Sequence, residues 1–357
     1  MRSVRDAQVA GMRVLLRVDF NVPIKDGAVV DDSRITAVLP TIDLLREKGA
    51  AKILILTHLG RPKDTEGGAD LAPVRAALAT LTDMGIVELY ENLRLDPGEE
   101  ANDPAFAQKL ARMGDIYIND AFAVSHRAHA SIVGVPKLLP SYAGLLLLRE
   151  VDALAAALTP PPHSLAIIGG AKFETKLPLI QKLLAVYGEL LLGGALGNDV
   201  IKARGMPFGT SLVSQEPVPV EVASDERLYA PVDAVVTSAP GAEREAIVAD
   251  IRAHERIIDI GPVTAESWRK KIAAAPFVLW NGPMGVYEEG YTDGTDVLAE
   301  ALCKSGVRAI VGGGDTVAAL KKFSFNTENV FLSTGGGAML EYLVAGTLPG
   351  LDVLRGA

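Results

Sequence analysis

Short apolar runs rich in Val, Ile and Leu recur along the whole chain and alternate with longer amphipathic segments. Segments of helical length, such as 36–48 and 296–304, separate the runs. Such alternation predicts an α/β fold with mainly parallel sheets covered by helices on both faces. The predicted strands are residues 14–18, 53–57, 116–118, 165–168, 189–192, 234–236, 277–280, 309–311 and 330–333.

The residues that follow the predicted strands differ between the two halves of the chain. Polar and basic residues follow those of the first half, whereas glycines follow those of the second half, for example at 169–170, 193–194, 312–314 and 335–337. Ligands of open α/β sheets bind beyond the carboxyl ends of the strands. The pattern therefore predicts an anion-binding half followed by a nucleotide-binding half.

A helix over 143–158, followed by Thr159 and three prolines, is the natural boundary between the halves. Prolines can neither continue a helix nor flex freely. At 357 residues the chain is also too long for one comfortable core. We therefore expect two Rossmann-like three-layer domains, at 1–145 and 161–344, joined by a connecting helix and hinge at 146–160.

Composition and charge narrow the class of protein. The net charge is −9 and no Lys/Arg-dense run compensates for it, which argues against a nucleic-acid partner. The single cysteine, Cys303, excludes an internal disulfide and fits a reducing compartment. The first residues have no apolar core of the signal-peptide kind, and charged residues interrupt the apolar helix 143–158. These features predict a cytoplasmic enzyme without a membrane span.

The stretch 307–316 has the pattern of a phosphate-binding turn. An apolar run ends in three glycines and leads into a helix, which would offer backbone N–H groups at a positive helix terminus. Asp315 and Thr316 stand where common NTPases have Lys-Ser or Lys-Thr. A carboxylate there suits phosphate-bound Mg²⁺ better than phosphate itself. Glycines that only permit a tight turn are the alternative interpretation.

Two groups of basic residues lie at predicted strand ends. Arginines of the first half can bind a small dianion through bidentate hydrogen bonds. The alternative interpretation is that each arginine forms an isolated surface ion pair. Lys172 and Lys176 share one face of a helix start and can stabilise a transferring phosphoryl group; a solvated helix face is the alternative. The first-half set is Arg34, His58, Arg61 and Arg127, with Asp19 and Asn21 as polar partners.

Asn281 and Glu288 follow a predicted strand and can hydrogen-bond a nucleotide, with turn chemistry as the alternative. His126 and His129 have a spacing that could hold a metal, but no further His or Cys lies nearby, so local hydrogen bonding is favoured.

Taken together, these segments resemble the phosphoglycerate kinase family. The matching motifs occur in family order over nearly the whole chain: RVDFNVP at 17–23, DSRI at 32–35, THLGRP at 57–62, ENLRL at 91–95, NDAFAVSHRAHAS at 119–131, GGAKFETK at 169–176, GTSLV at 209–213, DIGP at 259–262, WNGPMGVYE at 280–288, GGGDT at 312–316 and STGGGAMLEYL at 333–343.

The resemblance implies reversible phosphoryl transfer between 1,3-bisphosphoglycerate and MgADP, giving 3-phosphoglycerate and MgATP. It also implies a hinge-closing monomer in which residues 345–357 return to the first domain. Phosphoglycerate would be held by Asp19, Asn21, Arg34, His58, Arg61 and Arg127.

Arg34 would also neutralise the transferring group, which Lys172, Lys176 and Gly336, with the N–H groups of 335–337, would stabilise from the other side. Asp315 would bind Mg²⁺, Glu288 the ribose, and Gly193 and Gly194 the adenine. The nucleotide-binding set would be Lys176, Gly193, Gly194, Asn281, Glu288, Gly313, Gly314, Asp315 and Thr316.

The chain departs from the family pattern at several positions. Pro162 stands where the family carries an arginine, so one phosphate contact is expected to be missing. Ala195 replaces a glycine beside the adenine and Ile257 replaces another, which affects nucleotide contacts. The stretches 74–91 and 212–232 are short, which suggests a lost peripheral strand and a trimmed helix.

These departures leave two other hypotheses: a related acyl-phosphate kinase acting on another carboxylate, and a non-catalytic binding protein on the same fold.

Overall fold

The computed structural model describes residues 1–60 and 70–356. The predicted substrate residue Arg61 lies outside the described residues. The chain divides into two compact units, Met1–Asp152 together with Ala345–Ala357, and Ala153–Val344. The boundary falls inside one helix, Leu145–Leu158, since its last residues belong to the second unit.

The first unit is a parallel sheet with helices on both faces. Its strands are β1 Arg13–Arg17, β2 Ile24–Lys25, β3 Ala28–Val29, β4 Lys52–Leu56, β5 Val87–Leu89, β6 Ile116–Asn119 and β7 Ser141–Ala143. Its helices are α1 Ser33–Thr36, α2 Leu39–Glu47, α3 Ala72–Leu81, α4 Pro97–Glu100, α5 Pro104–Ala111 and the boundary helix α6 Leu145–Leu158, with shorter turns at Leu93–Leu95, Phe122–Val124, Ala130–Gly134 and Val135–Lys137.

The five-stranded sheet of this unit has the order β5-β4-β1-β6-β7, and all of its neighbouring strands are parallel. Val14 and Leu16 of β1 pack in one core with α2 and α3. Leu15 packs on the opposite face with α5, as the alternation of strand side chains requires. From β1 the chain adds β4 and β5 on one side of the sheet and then β6 and β7 on the other. The order therefore reverses between β1 and β6, and the carboxyl ends of these two strands mark the ligand crevice.

The predicted helix 36–48 is interrupted in the structure. A short helix α1 ends at Thr36, and α2 begins at Leu39. Pro40 is the second residue of α2, where a backbone N–H would have no partner within the helix. The same residue would break a continuous helix, which explains the interruption.

The second unit contains a six-stranded parallel sheet and a smaller antiparallel one. Its strands are β8 Leu165–Ile168, β9 Glu189–Leu192, β10 Leu228–Tyr229, β11 Asp233–Thr237, β12 Glu243–Ile247, β13 Arg256–Ile260, β14 Phe277–Asn281, β15 Arg308–Gly312 and β16 Val330–Leu332. Its helices are α7 Phe173–Val186, α8 Gly194–Ala203, α9 Val220–Ala223, α10 Pro262–Ala274, α11 Asp293–Ser305, α12 Gly314–Lys321 and α13 Gly336–Ala345, with short turns at Val248–Asp250 and Tyr287–Glu289. Helix α14, Pro349–Arg355, returns to the first unit, where the N–H of Gly350 donates to Ser125 O at 2.9 Å.

The parallel sheet of the second unit has the order β10-β9-β8-β14-β15-β16. Val278 and Trp280 of β14 pack in a core with α10, α11 and α12. The order reverses between β8 and β14, so the carboxyl ends of these two strands mark the ligand crevice. The predicted strand 234–236 belongs instead to an antiparallel sheet, β12-β11-β13.

Buried polar groups fix the start of α6. Asp120, which follows β6, is fully buried and accepts the N–H of Leu147 at 2.9 Å. Burial raises the pKa of this carboxyl to about 6.

Among the residues that the structure describes, no helix combines the length and the apolar character needed to span a membrane.

Candidate active site

The basic residues of the first unit gather at the carboxyl ends of its strands. Asp19 follows β1 and forms an ion pair with the Arg34 guanidinium from α1. Asp19 Oδ1 also accepts the N–H of Asn21 at 3.1 Å, and Asn21 Oδ1 accepts the N–H of Gly60 at 2.9 Å. These bonds join the loop after β1 to the loop after β4. The structure therefore brings Asp19, Asn21 and Arg34 together.

His58 follows β4 and is 3% exposed. Burial is the main cause that holds its pKa well below 6.5, and the positive charges of Arg17, Arg94 and Arg127 act in the same direction. His58 Nδ1 lies 3.8 Å from Asp19 Oδ1, but a neutral imidazole makes no ion pair there. In the described part of the chain this nitrogen has no hydrogen-bond partner. His58 is thus a neutral, buried group with one ring nitrogen that no described residue satisfies.

Two arginines of this cluster were missed as site candidates. Arg94 follows β5, and its Nη1 donates to Gly60 O at 2.6 Å, beside the loop that carries His58. Arg17 is 1% exposed, and its Nε donates to Ser131 Oγ at 2.7 Å. A signal for Arg94 was available, since it follows an edge strand within the motif ENLRL. The positive charges of these two residues and of Arg127 all act on His58.

In the second unit, glycines from several strand-to-helix loops approach one another so closely that side chains do not fit between them. A Cβ on Gly169 would lie 2.0 Å from Pro283 O, and one on Gly194 would lie 2.9 Å from Gly170 N. The loops at these strand ends therefore pack backbone against backbone at distances that only glycine permits. We call this surface the glycine floor; it consists of Gly169, Gly170, Gly194, Gly282, Gly313 and Gly336.

Gly336 and Gly313 bring two helix starts together at this floor. A Cβ on Gly336, the first residue of α13, would lie 3.0 Å from Gly313 Cα, and Gly313 directly precedes α12. The first N–H groups of a helix have no partners within the helix and favour anions. Gly314 is exposed at the start of α12. The arrangement can hold phosphate groups.

Three predicted nucleotide residues line the same strand ends. Asn281, at the end of β14, is 5% exposed, and its Nδ2 has no hydrogen-bond partner within the described ranges. That nitrogen lies 3.8 Å from the position of a Cβ on Gly336, so it is directed toward the floor. Thr316 Oγ1 accepts the N–H of Gly282 at 3.0 Å and ties α12 to the loop after β14. Asp315, by contrast, is exposed.

The two predicted catalytic lysines lie at the start of α7, next to Gly169 and Gly170. Lys172 is exposed and has a left-handed backbone, with φ of 65°. Lys176 is partly buried, and burial lowers the pKa of its ammonium group. Both lysines therefore lie close in sequence to Gly169 and Gly170, which form one part of the glycine floor.

The remaining nucleotide candidates, Gly193 and Glu288, lie in the same unit, as do Ala195 and Ile257, which replace family glycines. Gly193 packs against Met284, and a Cβ at this position would lie 2.5 Å from Met284 Sδ. Ala195 is a half-buried residue near the start of α8. Ile257 lies in β13, and its N–H donates to Ser211 Oγ at 2.8 Å. Glu288 is exposed in the turn after β14.

Pro162 and the adjacent His163 precede β8, at its amino end. The glycine floor lies at the carboxyl ends of β8 and β14, on the other edge of the sheet. The substitution of proline for the family arginine is therefore remote from the glycine floor within this unit.

An arginine cluster around a neutral histidine can hold a small phosphorylated anion, and a bare backbone floor flanked by lysines can hold nucleotide phosphates. A chain that combines the two on α/β units is a nucleotide-dependent phosphotransferase.

Comparison with known proteins identifies the family. A family model described as phosphoglycerate kinase matches residues 4–88 and 81–346. The phosphoglycerate kinase of Thermomicrobium roseum is 43% identical over 389 aligned positions, which cover 99% of this chain and 99% of that protein. Solved phosphoglycerate kinase structures from Coxiella burnetii and Pyrococcus horikoshii OT3 have TM-scores of 0.85 and 0.86 at 36% and 29% identity, and each match covers 99% of this chain and 98% of the other.

The chain belongs to the phosphoglycerate kinase family. It is a glycolytic kinase that transfers a phosphoryl group to or from a carboxyl group, which confirms the predicted family, fold class and enzyme class. The alignment with the T. roseum protein is longer than the 357 residues of this chain, so the relative carries segments that are missing here. The shortened stretch 74–91 nevertheless supplies β5 at the edge of the sheet.

Proposed function

We propose that the chain catalyses reversible phosphoryl transfer from the acyl phosphate of 1,3-bisphosphoglycerate to MgADP, giving 3-phosphoglycerate and MgATP. The observation that supports this most is the glycine floor with Lys172 and Lys176 beside it in the second unit. Phosphoryl transfer needs positioning and charge stabilisation and no covalent nucleophile. This constellation offers both.

In this proposal the first unit binds the phosphoglycerate and the second binds the nucleotide. The neutral His58 and the amide of Asn21 hydrogen-bond the substrate, while the arginines neutralise its phosphate and carboxylate. The substrate-binding set is Asp19, Asn21, Arg34, His58, Arg61 and Arg127, to which the geometry adds Arg94.

The second unit has separate residues for each part of the nucleotide. Lys172, Lys176 and the first N–H groups of α13, beginning at Gly336, stabilise the charge that develops on the transferring group. Gly193 and Gly194 bind the adenine and Glu288 binds the ribose. The phosphates contact Asn281, Gly313, Gly314 and Thr316.

The residues present fit a nucleotide-bound Mg²⁺. Asp315 is exposed in the first turn of α12, and its carboxylate makes no hydrogen bond or ion pair within the described ranges. One carboxylate suits Mg²⁺, because this ion is often bound by one or two carboxylates together with substrate phosphates. The ion would neutralise phosphate charge during transfer.

Replacement of Asp315 is expected to weaken the use of Mg²⁺. In Asp315→Ala the Mg²⁺ concentration for half-maximal turnover should rise about 10-fold or more. Removal of a residue that only hydrogen-bonds a metal ligand already lowers metal affinity by about that factor. Steady-state rates over a magnesium titration measure it. Asp293→Ala is the matched control, because Asp293 is also exposed in the first turn of a helix, α11. Equal Mg²⁺ dependence in both variants would refute the assignment.

The proposed reaction is tested with purified protein, 3-phosphoglycerate and MgATP, coupled to an enzyme that consumes 1,3-bisphosphoglycerate. We expect turnover of ordinary enzyme magnitude, about 10 s⁻¹ or more. MgATP binding without turnover would contradict the proposal and direct attention to other carboxylate acceptors. We further propose that the protein acts in the cytoplasm, as a monomer, with hinge bending between its units. Sedimentation tests the monomeric state, and small-angle scattering with and without ligands tests the hinge bending.

A further inference from the structure

A chain of hydrogen bonds leads from the middle of α8 to the first residue of α7. Asp199 Oδ1 accepts the N–H of Ser214 at 2.6 Å, and Oδ2 accepts the hydroxyl of Ser214 at 2.9 Å. Ser214 Oγ in turn accepts the N–H of Phe173 at 2.7 Å. None of the three residues is needed as a direct ligand for the proposed reaction.

The direction of these bonds is fixed by chemistry. An ionised carboxylate only accepts hydrogen bonds, so the hydroxyl proton of Ser214 is committed to Asp199. The lone pairs of Ser214 Oγ are then free to receive a donor. The backbone N–H of Phe173 is such a donor, since a residue in the first turn of a helix has no partner inside that helix. Asp199 thus determines which way the Ser214 hydroxyl faces.

The peptide group that precedes Phe173 belongs to the proposed catalytic lysine. Lys172 adopts φ of 65°, a left-handed conformation that costs a non-glycine residue about 1–2 kcal/mol. The carbonyl of Lys172 accepts the N–H of Thr175 at 3.1 Å and its hydroxyl at 2.8 Å. The other side of the same peptide, the N–H of Phe173, is held by Ser214. Both polar groups of this peptide are therefore fixed, which maintains an otherwise unfavourable backbone.

We infer that Asp199 and Ser214 are positioning residues for phosphoryl transfer, because they hold the backbone from which the Lys172 side chain extends. The inference rests on the proposed function, in which Lys172 stabilises the transferring group. Their effect is on the rate of transfer, since a misplaced lysine loses charge stabilisation in the transition state. Nucleotide affinity depends mainly on the glycine floor and is largely kept.

The surroundings of Asp199 make a clean test possible. Asp199 and Ser214 border an open cavity of about 400 Å³, which is also lined by Lys202, Glu216 and Ser224. A truncated side chain at this boundary leaves no sealed void, and an added methyl group has room. Changes here are therefore expected to leave the fold intact.

Ser214→Ala removes the hydroxyl that accepts the N–H of Phe173, and Asp199→Asn removes the carboxylate that orients this hydroxyl. Each should lower kcat by about 10- to 100-fold, the scale of a misplaced catalytic group. The KM for MgATP should stay within about threefold, and urea midpoints should match the wild type. Ser214→Thr keeps the hydroxyl and should restore kcat to within about threefold. Ser224→Ala, which changes an exposed serine of the same cavity, is the matched control and should leave kcat unchanged.

Lys172→Ala separates this inference from the function on which it rests. Collapse of kcat in Lys172→Ala with normal kcat in Ser214→Ala would overturn the positioning role and leave the proposed function standing. Normal kcat in Lys172→Ala would overturn the role of Lys172 itself. A fall in kcat of Ser214→Ala that Ser214→Thr does not reverse, or that accompanies a lowered urea midpoint, would show a structural role only.

Discussion

Arg34→Ala lowers kcat by about 10³-fold or more while the KM for MgATP stays nearly constant; this is the result expected if Arg34 neutralises the transferring phosphoryl group. An arginine that contacts such a group contributes about 10³–10⁵ to the rate of phosphoryl transfer. Arg34 is held by its ion pair with Asp19 at the carboxyl end of β1. The proposed nucleotide ligands all belong to the second unit, so their affinity should not depend on this side chain.

The measurement is a steady-state rate matrix over both substrates. Arg34→Lys is the conservative variant: it keeps the charge but loses the planar fork of donors, so partial recovery is expected. Arg13→Ala is the matched control, because Arg13 forms an exposed ion pair with Asp115 at the other end of β1. A raised KM with unchanged kcat in Arg34→Ala would show that Arg34 acts only in substrate binding.

Much of the fold follows from local patterns. The strongly apolar runs of β1, β4, β8 and β14 are buried on both faces of parallel sheets, so continuous Val, Ile and Leu mark them plainly. The strand β12, Glu243–Ile247, was not predicted because it lies at a sheet edge and is largely exposed. The edge strands β5 and β7 are only three residues long and give a weak periodic signal.

The site was predictable where a residue type carries its own chemistry. Asp19 and His58 follow apolar strands, and strand ends in an α/β fold are where ligands bind. The close approach of Gly169 to Pro283, however, joins residues more than a hundred positions apart. The bond between Asp199 and Ser214 likewise depends on how α8 packs against the following loop. Such contacts are set by tertiary packing, which no local pattern encodes.

A second large effect is expected on stability, from Glu99→Gln in the first unit. Glu99 and Arg17 are each 1% exposed, and Arg17 Nη2 lies 3.9 Å from Glu99 Oε1. Ser131 joins them, since its hydroxyl donates to Glu99 at 2.6 Å and accepts from Arg17 Nε at 2.7 Å. The N–H of Ser131 donates to the other carboxylate oxygen at 2.9 Å. Every contact of Glu99 in this network is thus with a donor or a cation.

A glutamine cannot replace the carboxylate in this network. In either orientation its amide nitrogen would face one donor of Ser131, the backbone N–H or the hydroxyl, and Arg17 would keep a buried charge without its counter-ion. Removing one partner of a buried pair costs about 3–5 kcal/mol, because the remaining charge is left uncompensated. We expect the free energy of unfolding of Glu99→Gln to fall by that amount, measured by urea denaturation followed by far-UV circular dichroism.

Glu100→Gln provides the matched control at the next position. The Glu100 side chain is 57% exposed, and its Oε1 lies 3.3 Å from Nε of Arg94, whose side chain is 6% exposed. Because water screens such a pair, the loss there should be below about 1 kcal/mol. Far-UV circular dichroism is used because both tryptophans of the chain, Trp268 and Trp280, lie in the second unit, so their fluorescence would not report on the first unit. Equal losses in the two variants would mean that the buried network contributes no more than an ion pair with a solvent-exposed carboxylate. A much larger loss in Glu99→Gln would show that the carboxylate compensates the charge of Arg17, the fully buried member of the arginine cluster around His58.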